Sequence, residues 1–397
     1  MSGPLEGVRI LDLSRILSGP FCTMLLADLG AEVVKVERPG SGDPARSMMA
    51  RVGDDSAFFI SVNRGKKSIT LDVFTEKGRG LFLRFLPQFD VLVENFVPGT
   101  LAKAGLGYEQ VKAINTRLVY ASISGFGQDG PYAQRPALDI IVQAMSGLMS
   151  VTGEHGGPPL RPGASLGDSI PGTFAAVGIL AALHQRERTG QGQHLDIAML
   201  DTLVTMMENS FSRYFATGQT PEAIGSRHPG AAPFQAFRAS DDWFVVAILS
   251  DDAGLWRRFC QAVGLPHLSD DLRFQDNRGR VQHVDALEQL LQEVFGKATK
   301  NHWLEALTQA GVPCGPVNTI AEVAQDPQVQ HRGMLAAIPH PAAGAWLVAN
   351  TPFKFSDAQA GAHGPSPALG QHTDEVLQGM LGLAPDAIGR LRENGVV

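Results

Sequence analysis

The chain has 397 residues, of which 44% are hydrophobic and 18% charged, a mixture that fills a sizeable core, suits two domains better than one and excludes intrinsic disorder. A net charge of −7 argues against a nucleic-acid binder, which needs a basic surface to replace phosphate counterions. Cys22, Cys260 and Cys314 stand far apart and offer neither a disulfide framework nor paired zinc-ligand spacing, so no structural metal is expected.

The opening MSGPLEGVRILDLSR lacks a basic region followed by an apolar stretch, and no apolar run is read as approaching the roughly 18 residues of a membrane span. Neither a secretory signal nor a membrane segment is expected, and a cytoplasmic protein follows. Residues 8–13 (VRILDL) predict a strand, 20–30 a helix ending at Gly30 and 31–37 (AEVVKVE) a second strand, together a βαβ unit. The alternation continues with 68–73, 78–89, 91–95, a helical stretch from Leu101, and 118–127. Repetition of this kind predicts an α/β fold with a mostly parallel sheet covered on both faces by helices. The first turn, SRILSGP, lacks the G-x-G-x-x-G spacing and no G-x-x-x-x-G-K-[ST] occurs, which disfavours dinucleotide and nucleoside triphosphate sites.

Residues 171–188 predict a long, largely buried helix, TGQGQ a turn, HLDIAML a strand and DTLVTMMENSFSRYFATG a further helix. Pro and Gly accumulate at 219–233, where the periodic signal fails and a domain boundary is expected. Beyond it, a strand at 242–249 and three amphipathic segments fit a small α+β domain.

Arg38, in ERPGSGD, follows a strand and could pair with a phosphate at the C-terminal edge of the sheet. Arg64, Lys66 and Lys67 in NRGKKSI form a second basic cluster, and the two together suggest an anionic ligand, although solvated surface charges would read the same way. Lys103 follows a Pro98-Gly99 helix entrance that ordinary capping also explains. Asp168, in RPGASLGDSIPG, could cap the helix that follows, or act as a nucleophile beside glycine amides able to hold an oxyanion; spacing leaves both open. His228 is a lone loop histidine, and neither a Ser-His-Asp order nor an H-E-x-x-H pattern occurs.

Taken in order, LDLSRILSGPFCTMLLADLGAEVVKVERPGSGD, NRGKKSITLD, VLVENFVPGTLAKAGLG, SGFGQDGPYAQRPALDIIVQAMSG, LGDSIPG with TGQGQHLDIAML, GVPCGPVN with DPQVQHRGML, and PALGQHTDEVL resemble the class III CoA-transferases, the formyl-CoA transferase and carnitine CoA-transferase group, over nearly the whole length. The resemblance implies an interlocked homodimer. It also implies a Rossmann-like large domain built from both chain ends (1–200 and 340–397), a smaller α+β domain (225–325) and linkers at 201–224 and 326–339. Asp168 falls on the family's catalytic aspartate, and Arg15, Ile16, Leu17, Ser18, Arg38, Leu71, Asn95 and Lys103 on its CoA-binding positions. The implied reaction moves CoA from an acyl-CoA donor to a small carboxylate through an aspartyl mixed anhydride and an aspartyl-CoA thioester. No cofactor is then bound permanently, coenzyme A thioester is a substrate, and neither nucleic acid nor membrane is a partner.

Two departures bear on specificity. SRHPGAAPFQ stands where the formyl-CoA transferase branch carries four glycines, which puts formyl-CoA and oxalate in doubt. Leu138 precedes Asp139 where the 2-methylacyl-CoA racemase branch has a histidine base, so transfer is preferred over racemisation, and the intact Asp168 segment argues against a non-catalytic CoA-binding role. The same stretches look more like branches that use succinyl-CoA and small dicarboxylates, with Arg227 or His228 expected to hold the distal carboxylate.

Overall fold

The computed structural model describes residues 2–341 and 343–397. The chain separates into two compact units, one of Met1–Leu148, Pro162–Ser212 and Pro327–Val397, the other of Met149–Arg161 and Arg213–Asp326.

The elements begin with β1 (Arg9–Asp12), α1 (Ser18–Asp28), β2 (Glu32–Glu37), a two-residue hairpin of β3 (Arg51–Val52) and β4 (Asp55–Ser56), α2 (Ala57–Asn63), β5 (Lys67–Thr70) and α3 (Glu76–Phe85). They continue with β6 (Val91–Glu94), α4 (Thr100–Lys103), α5 (Tyr108–Ile114), β7 (Val119–Ser124), α6 (Asp139–Met145), α7 (Leu166–Thr189), β8 (His194–Ala198), α8 (Met199–Met206) and α9 (Glu208–Thr217). Six of these strands form one parallel sheet in the order β5-β2-β1-β6-β7-β8. Strands such as VLVE and VYASIS are buried along their whole length because both sheet faces are covered, and EVVKVE buries Lys35 and Glu37 along with its valines. Leu11, Val34, Leu92 and Tyr120 pack with Phe82, Phe85, Val111, Val376 and Leu377, whereas the alternating neighbours Ile10, Val33, Val91, Val93 and Ala121 pack with Cys22, Leu26, Ala175 and Ile179.

The strand order reverses at β1: the chain first builds outward through β2 and β5, then returns to lay β6 on the other side. In open α/β sheets the C-terminal ends of the strands at such a reversal leave a crevice where ligands bind. The loops that follow β1 and β6 therefore mark the place to look.

α7 corrects two expectations. It starts at Leu166 rather than near 171, so Asp168 is its third residue and Ser165 its N-cap. It is also 24 residues long and apolar enough, by length and composition, to cross a membrane. Yet Ala175, Ala176, Ile179, Ala182 and Leu183 are core residues, and buried Arg186 on the same helix pairs with Asp90 at 2.9 Å. HLDIAML also divides differently, into β8 and then the start of α8 at Met199.

The second unit holds β9 (Phe234–Arg238), β10 (Trp243–Ala247), α10 (Ala253–Ala262), α11 (Asn277–Gln282), α12 (Val284–Phe295), α13 (Lys300–Gln309), β11 (Cys314–Pro316) and α14 (Ile320–Gln325). Its antiparallel sheet, β11-β10-β9, packs its apolar side with Phe259, Trp256, Phe295 and Trp303 from the helices. The first unit closes with α15 (Pro327–His331), a β12 (Leu335–His340) and β13 (Gly344–Ala349) hairpin, α16 (Thr373–Leu381) and α17 (Pro385–Glu393). Val376, Leu377, Ile388, Val396 and Val397 enter the same core as the N-terminal strands.

Candidate active site at the sheet edge

The segment after β1 is held from three sides. The Ser14 N–H donates to Asp12 Oδ1 at 2.9 Å, the Arg15 N–H to Asn95 Oδ1 at 2.8 Å, and the Ile16 N–H to both oxygens of Asp43 at 3.1 and 3.2 Å. Asn95, directly after β6, returns its amide to the Arg15 carbonyl at 2.8 Å and to Ser18 Oγ at 3.3 Å. The Arg15 guanidinium lies 4.5 Å from the centre of the Phe96 ring, a cation–π arrangement.

Two neighbouring cavities share Arg15 and Phe96. The larger, about 470 Å³, is also lined by Lys35, Glu37, Arg38, Asp43, Leu71 and Phe74. The smaller, about 180 Å³, is lined by residues 15–18, Asn95, Arg135, Leu138, Asp139 and Asp168. The structure thus brings together eight of the nine expected site residues. Lys103 is the exception: it ends the four-residue α4, exposed, and lines neither cavity.

Small residues set Asp168 where it is. A Cβ on Gly172 would come within 2.6 Å of the Ser18 carbonyl oxygen, so only glycine lets α7 press on the start of α1. A Cβ on Gly167 would meet Val142 Cγ2 at 2.7 Å, and the Gly167 N–H donates to Asp139 Oδ1 at 2.8 Å. Asp168 is half-buried in the first turn of this long helix, where the helix dipole is positive.

Beneath the loop lies a buried charge network. Asp12 pairs with Lys66 at 3.1 Å and Lys35 with Asp43 at 2.9 Å, all four side chains at most 1% exposed. Burial alone would raise the Asp12 pKa, but Lys66, Lys35 and the Ser14 and Thr23 hydroxyls together bring it down to about 2. The NRGKKSI cluster is corrected here. Arg64 is buried against Asp28, Lys66 against Asp12, and Lys67 is held by Glu32 and Glu375, so these cations neutralise the protein's own carboxylates instead of awaiting an anion. Arg38, by contrast, is exposed at the mouth of the larger cavity with no ion-pair partner among the described residues.

Arg227 is likewise committed. Glu288 and Asp285, the latter at 2.8 Å, flank its guanidinium, so it is not available for a distal carboxylate. His228 Nδ1 accepts the Gly230 N–H at 3.1 Å in its own turn, with its ring tilted on Phe234. Among the described residues no three His, Cys, Asp or Glu side chains cluster as a metal site requires.

Glu94, at the end of β6, escaped the sequence reading. Burial pushes its carboxyl up to about 7, against hydrogen bonds from Ser122 and from the Phe96 N–H at 2.8 Å, and Asp196 adds to the rise. A glutamate raised above its unfolded value of 4.5 keeps its proton in the folded state, so stability falls as pH rises from about 4.5 to about 7, by about 3 kcal/mol in total. Glu94→Gln should abolish that decline. Thermal midpoints of wild type and variant, compared from pH 5 to pH 7.5, should diverge with the wild type falling; parallel curves would contradict the account.

Lys35 carried a signal that could have exposed the network, because a lysine inside the doubly covered strand EVVKVE demands a buried anion. Arg135 and Asp139 sit within PYAQRPALDII, but nothing in their spacing distinguishes them from surface charges.

The CoA-transferase family III model matches residues 5–373. The chain is 44% identical over 355 residues to the acetyl-CoA:oxalate CoA-transferase of Acetobacter aceti, covering 89% of this chain and 90% of that protein. It is 39% identical over 398 residues to the succinyl-CoA:glutarate CoA-transferase of Homo sapiens, covering 99% and 90%. Among solved structures, a CAIB/BAIF family protein from Brucella suis matches with a TM-score of 0.86 at 39% identity, over 96% of this chain and all of that one.

Proposed function

The chain belongs to CoA-transferase family III and is an enzyme that transfers coenzyme A, and from that premise we propose that it moves CoA from an acyl-CoA donor to a small dicarboxylate with Asp168 as the covalent carrier. The observation that carries this reading is the smaller cavity, which Asp168 lines together with Arg15 and Arg135, a carboxylate and two cations suited to carboxylate ligands opening on one space. The larger cavity, with Arg38 at its mouth, suits the phosphate-bearing end of CoA, while Ile16, Leu17, Ser18, Leu71 and Asn95 supply its walls and the passage to Asp168. Lys103 would reach a phosphate only outside these cavities.

Each exchange balances without redox change. The Asp168 carboxylate attacks the donor thioester carbonyl, the C–S bond breaks, and CoA leaves as thiolate from a mixed anhydride. Thiolate then attacks the Asp168 carbonyl, releasing the donor acid and leaving an aspartyl-CoA thioester. The acceptor carboxylate attacks that thioester and expels CoA thiolate, which takes the acceptor acyl group and restores the Asp168 carboxylate. Water must be excluded, since it would hydrolyse both intermediates.

Succinyl-CoA is the donor favoured by the resemblance, and both relatives act on dicarboxylate acceptors, one of them oxalate, so the missing glycine run does not remove oxalate from consideration. Racemisation is disfavoured by exposed Leu138 beside Asp139. An interlocked homodimer is supported by the exposed apolar side chains Leu138, Ile140, Val177 and Met206 on and beside α6, α7 and α8. The test is incubation of purified protein with succinyl-CoA or acetyl-CoA and a panel of monocarboxylates and dicarboxylates, read by mass spectrometry. A new dicarboxylyl-CoA is expected; transfer to monocarboxylates alone, or to none, would overturn the reading.

A further inference from the structure

We propose that Asp43 is a positioning residue for coenzyme A, holding Ile16 in the left-handed backbone conformation that shapes the loop after β1 for its ligand. The inference rests on the reading of residues 15–18 as CoA contacts.

Ile16 has φ of +67°, and among the described residues only Met49 shares a positive φ without being glycine. For a β-branched side chain this is a strained outlier, because Cβ crowds the following carbonyl. Such a conformation persists only where the surroundings over-determine it, and it is found at ligand clamps. The determinants lie on both sides of its N–Cα bond. Upstream, both Asp43 oxygens accept the Ile16 N–H and Asn95 grips Arg15 by its N–H and its carbonyl at 2.8 Å each, which together fix the 15–16 peptide plane. Downstream, the Asn95 amide also donates to Ser18 Oγ at 3.3 Å, where α1 begins. Relaxation of Ile16 to an ordinary φ would turn that peptide plane by roughly 120° against α1, and either the Asp43 and Asn95 hydrogen bonds to the plane or the seat of Ser18 would be lost.

Asp43 is itself immobilised. Lys35 pairs with it at 2.9 Å, the Ala45 N–H donates to it at 2.9 Å, and its own N–H donates to Glu37 at 2.9 Å. Lys35 also donates to the Ser14 carbonyl at 2.7 Å, so one buried ammonium links the carboxylate to the loop it holds. Asp43 is buried and, although it forms part of the larger cavity's wall, its carboxylate is turned to Lys35, Ala45 and Ile16; its service to the reaction passes through Ile16 and Arg15, which line the smaller cavity.

The experiment is a double-mutant cycle on the full-length enzyme with acyl-CoA KM and kcat as readouts, comparing wild type, Asp43→Asn, Ile16→Gly and the pair. An amide at 43 cannot accept from the Ala45 N–H on one side and the Lys35 ammonium on the other as the two carboxylate oxygens do, and its NH2 group cannot share in accepting the Ile16 N–H. Asp43→Asn should therefore raise KM for acyl-CoA about tenfold, which is about 1.4 kcal/mol, with a much smaller change in kcat. Introduced into Ile16→Gly, the same substitution should raise KM less than about threefold, because glycine holds positive φ without help. Asn95→Ala, which leaves no buried charge unpaired, guards against misfolding of the first variant and should show the same dependence on residue 16. Equal KM penalties in the wild-type and Ile16→Gly backgrounds for both substitutions would overturn the proposal while leaving the transferase reading intact. A wild-type enzyme that shows no saturable use of any acyl-CoA would instead remove the reading of the site, and this inference with it.

Discussion

Asp168→Ala is expected to reduce CoA exchange by about 10⁴-fold or more while leaving affinity for free CoA within about threefold of wild type. The separation follows from where Asp168 stands. Of the expected contacts, Arg38 and Leu71 line the larger cavity and residues 16–18 and Asn95 the smaller, so removal of one carboxylate leaves nearly all CoA contacts in place. What is lost is the group proposed to accept the acyl group and then the thiol. Neighbouring Asp139 is held in a structural role, its Oδ1 accepting the Gly167 N–H at 2.8 Å and the Gln143 amide at 2.7 Å. Exchange measured with labelled CoA, beside calorimetric CoA binding, checks both halves; turnover within about tenfold of wild type would show that another group carries the acyl chain.

Lys66→Met should destabilise the protein by about 3–5 kcal/mol, the usual result of removing one partner of a fully buried ion pair. The Lys66 ammonium donates to Asp12, the Pro20 carbonyl, Thr23 and Asn63 at 2.7–3.1 Å, so its loss orphans acceptors from β1, α1 and α2 at once. The Asp12 carboxylate is left with Lys35 as its remaining cation. Because the penalty is largely that uncompensated charge, Asp12→Asn in the same background should recover part of it. Denaturant unfolding monitored in the first unit measures both; a loss under about 1 kcal/mol for Lys66→Met would contradict the network described.

The parallel sheet was legible because most of its doubly covered strands, such as VLVE, are short and largely apolar, and helical segments alternate with them. The hairpin of β12 and β13 was not, since LAAIPH and GAWLVA are small and weakly alternating and their pairing depends on Ile60 and the loop at Ala362. The basic cluster at 64–67 misled for a physical reason: Asp28 and Asp12 are 36 and 54 residues away along the chain, and no local pattern announces which carboxylate a lysine will meet. Arg227 misled in the same way, with Glu288 61 residues distant. Asp168 lay at the opposite limit. Its local pattern fits a helix cap, its third place in α7 is one that acidic residues favour for the dipole alone, and only the ordered set of motifs along the chain marked it as a carrier. The β-branched residue with positive φ at Ile16 has no sequence signature, because sequence convention places glycine there.

The central claim is that Asp168 carries first acyl and then CoA. Its most direct test is to expose the enzyme to succinyl-CoA without acceptor, quench with hydroxylamine and map the modified residue by peptide mass spectrometry. An aspartyl thioester or anhydride predicts a hydroxamate at Asp168 that forms only after acyl-CoA and disappears when a dicarboxylate acceptor is supplied first. An unmodified Asp168 in an enzyme that still exchanges CoA, or solvent deuterium entering the acyl α-carbon without exchange, would contradict it.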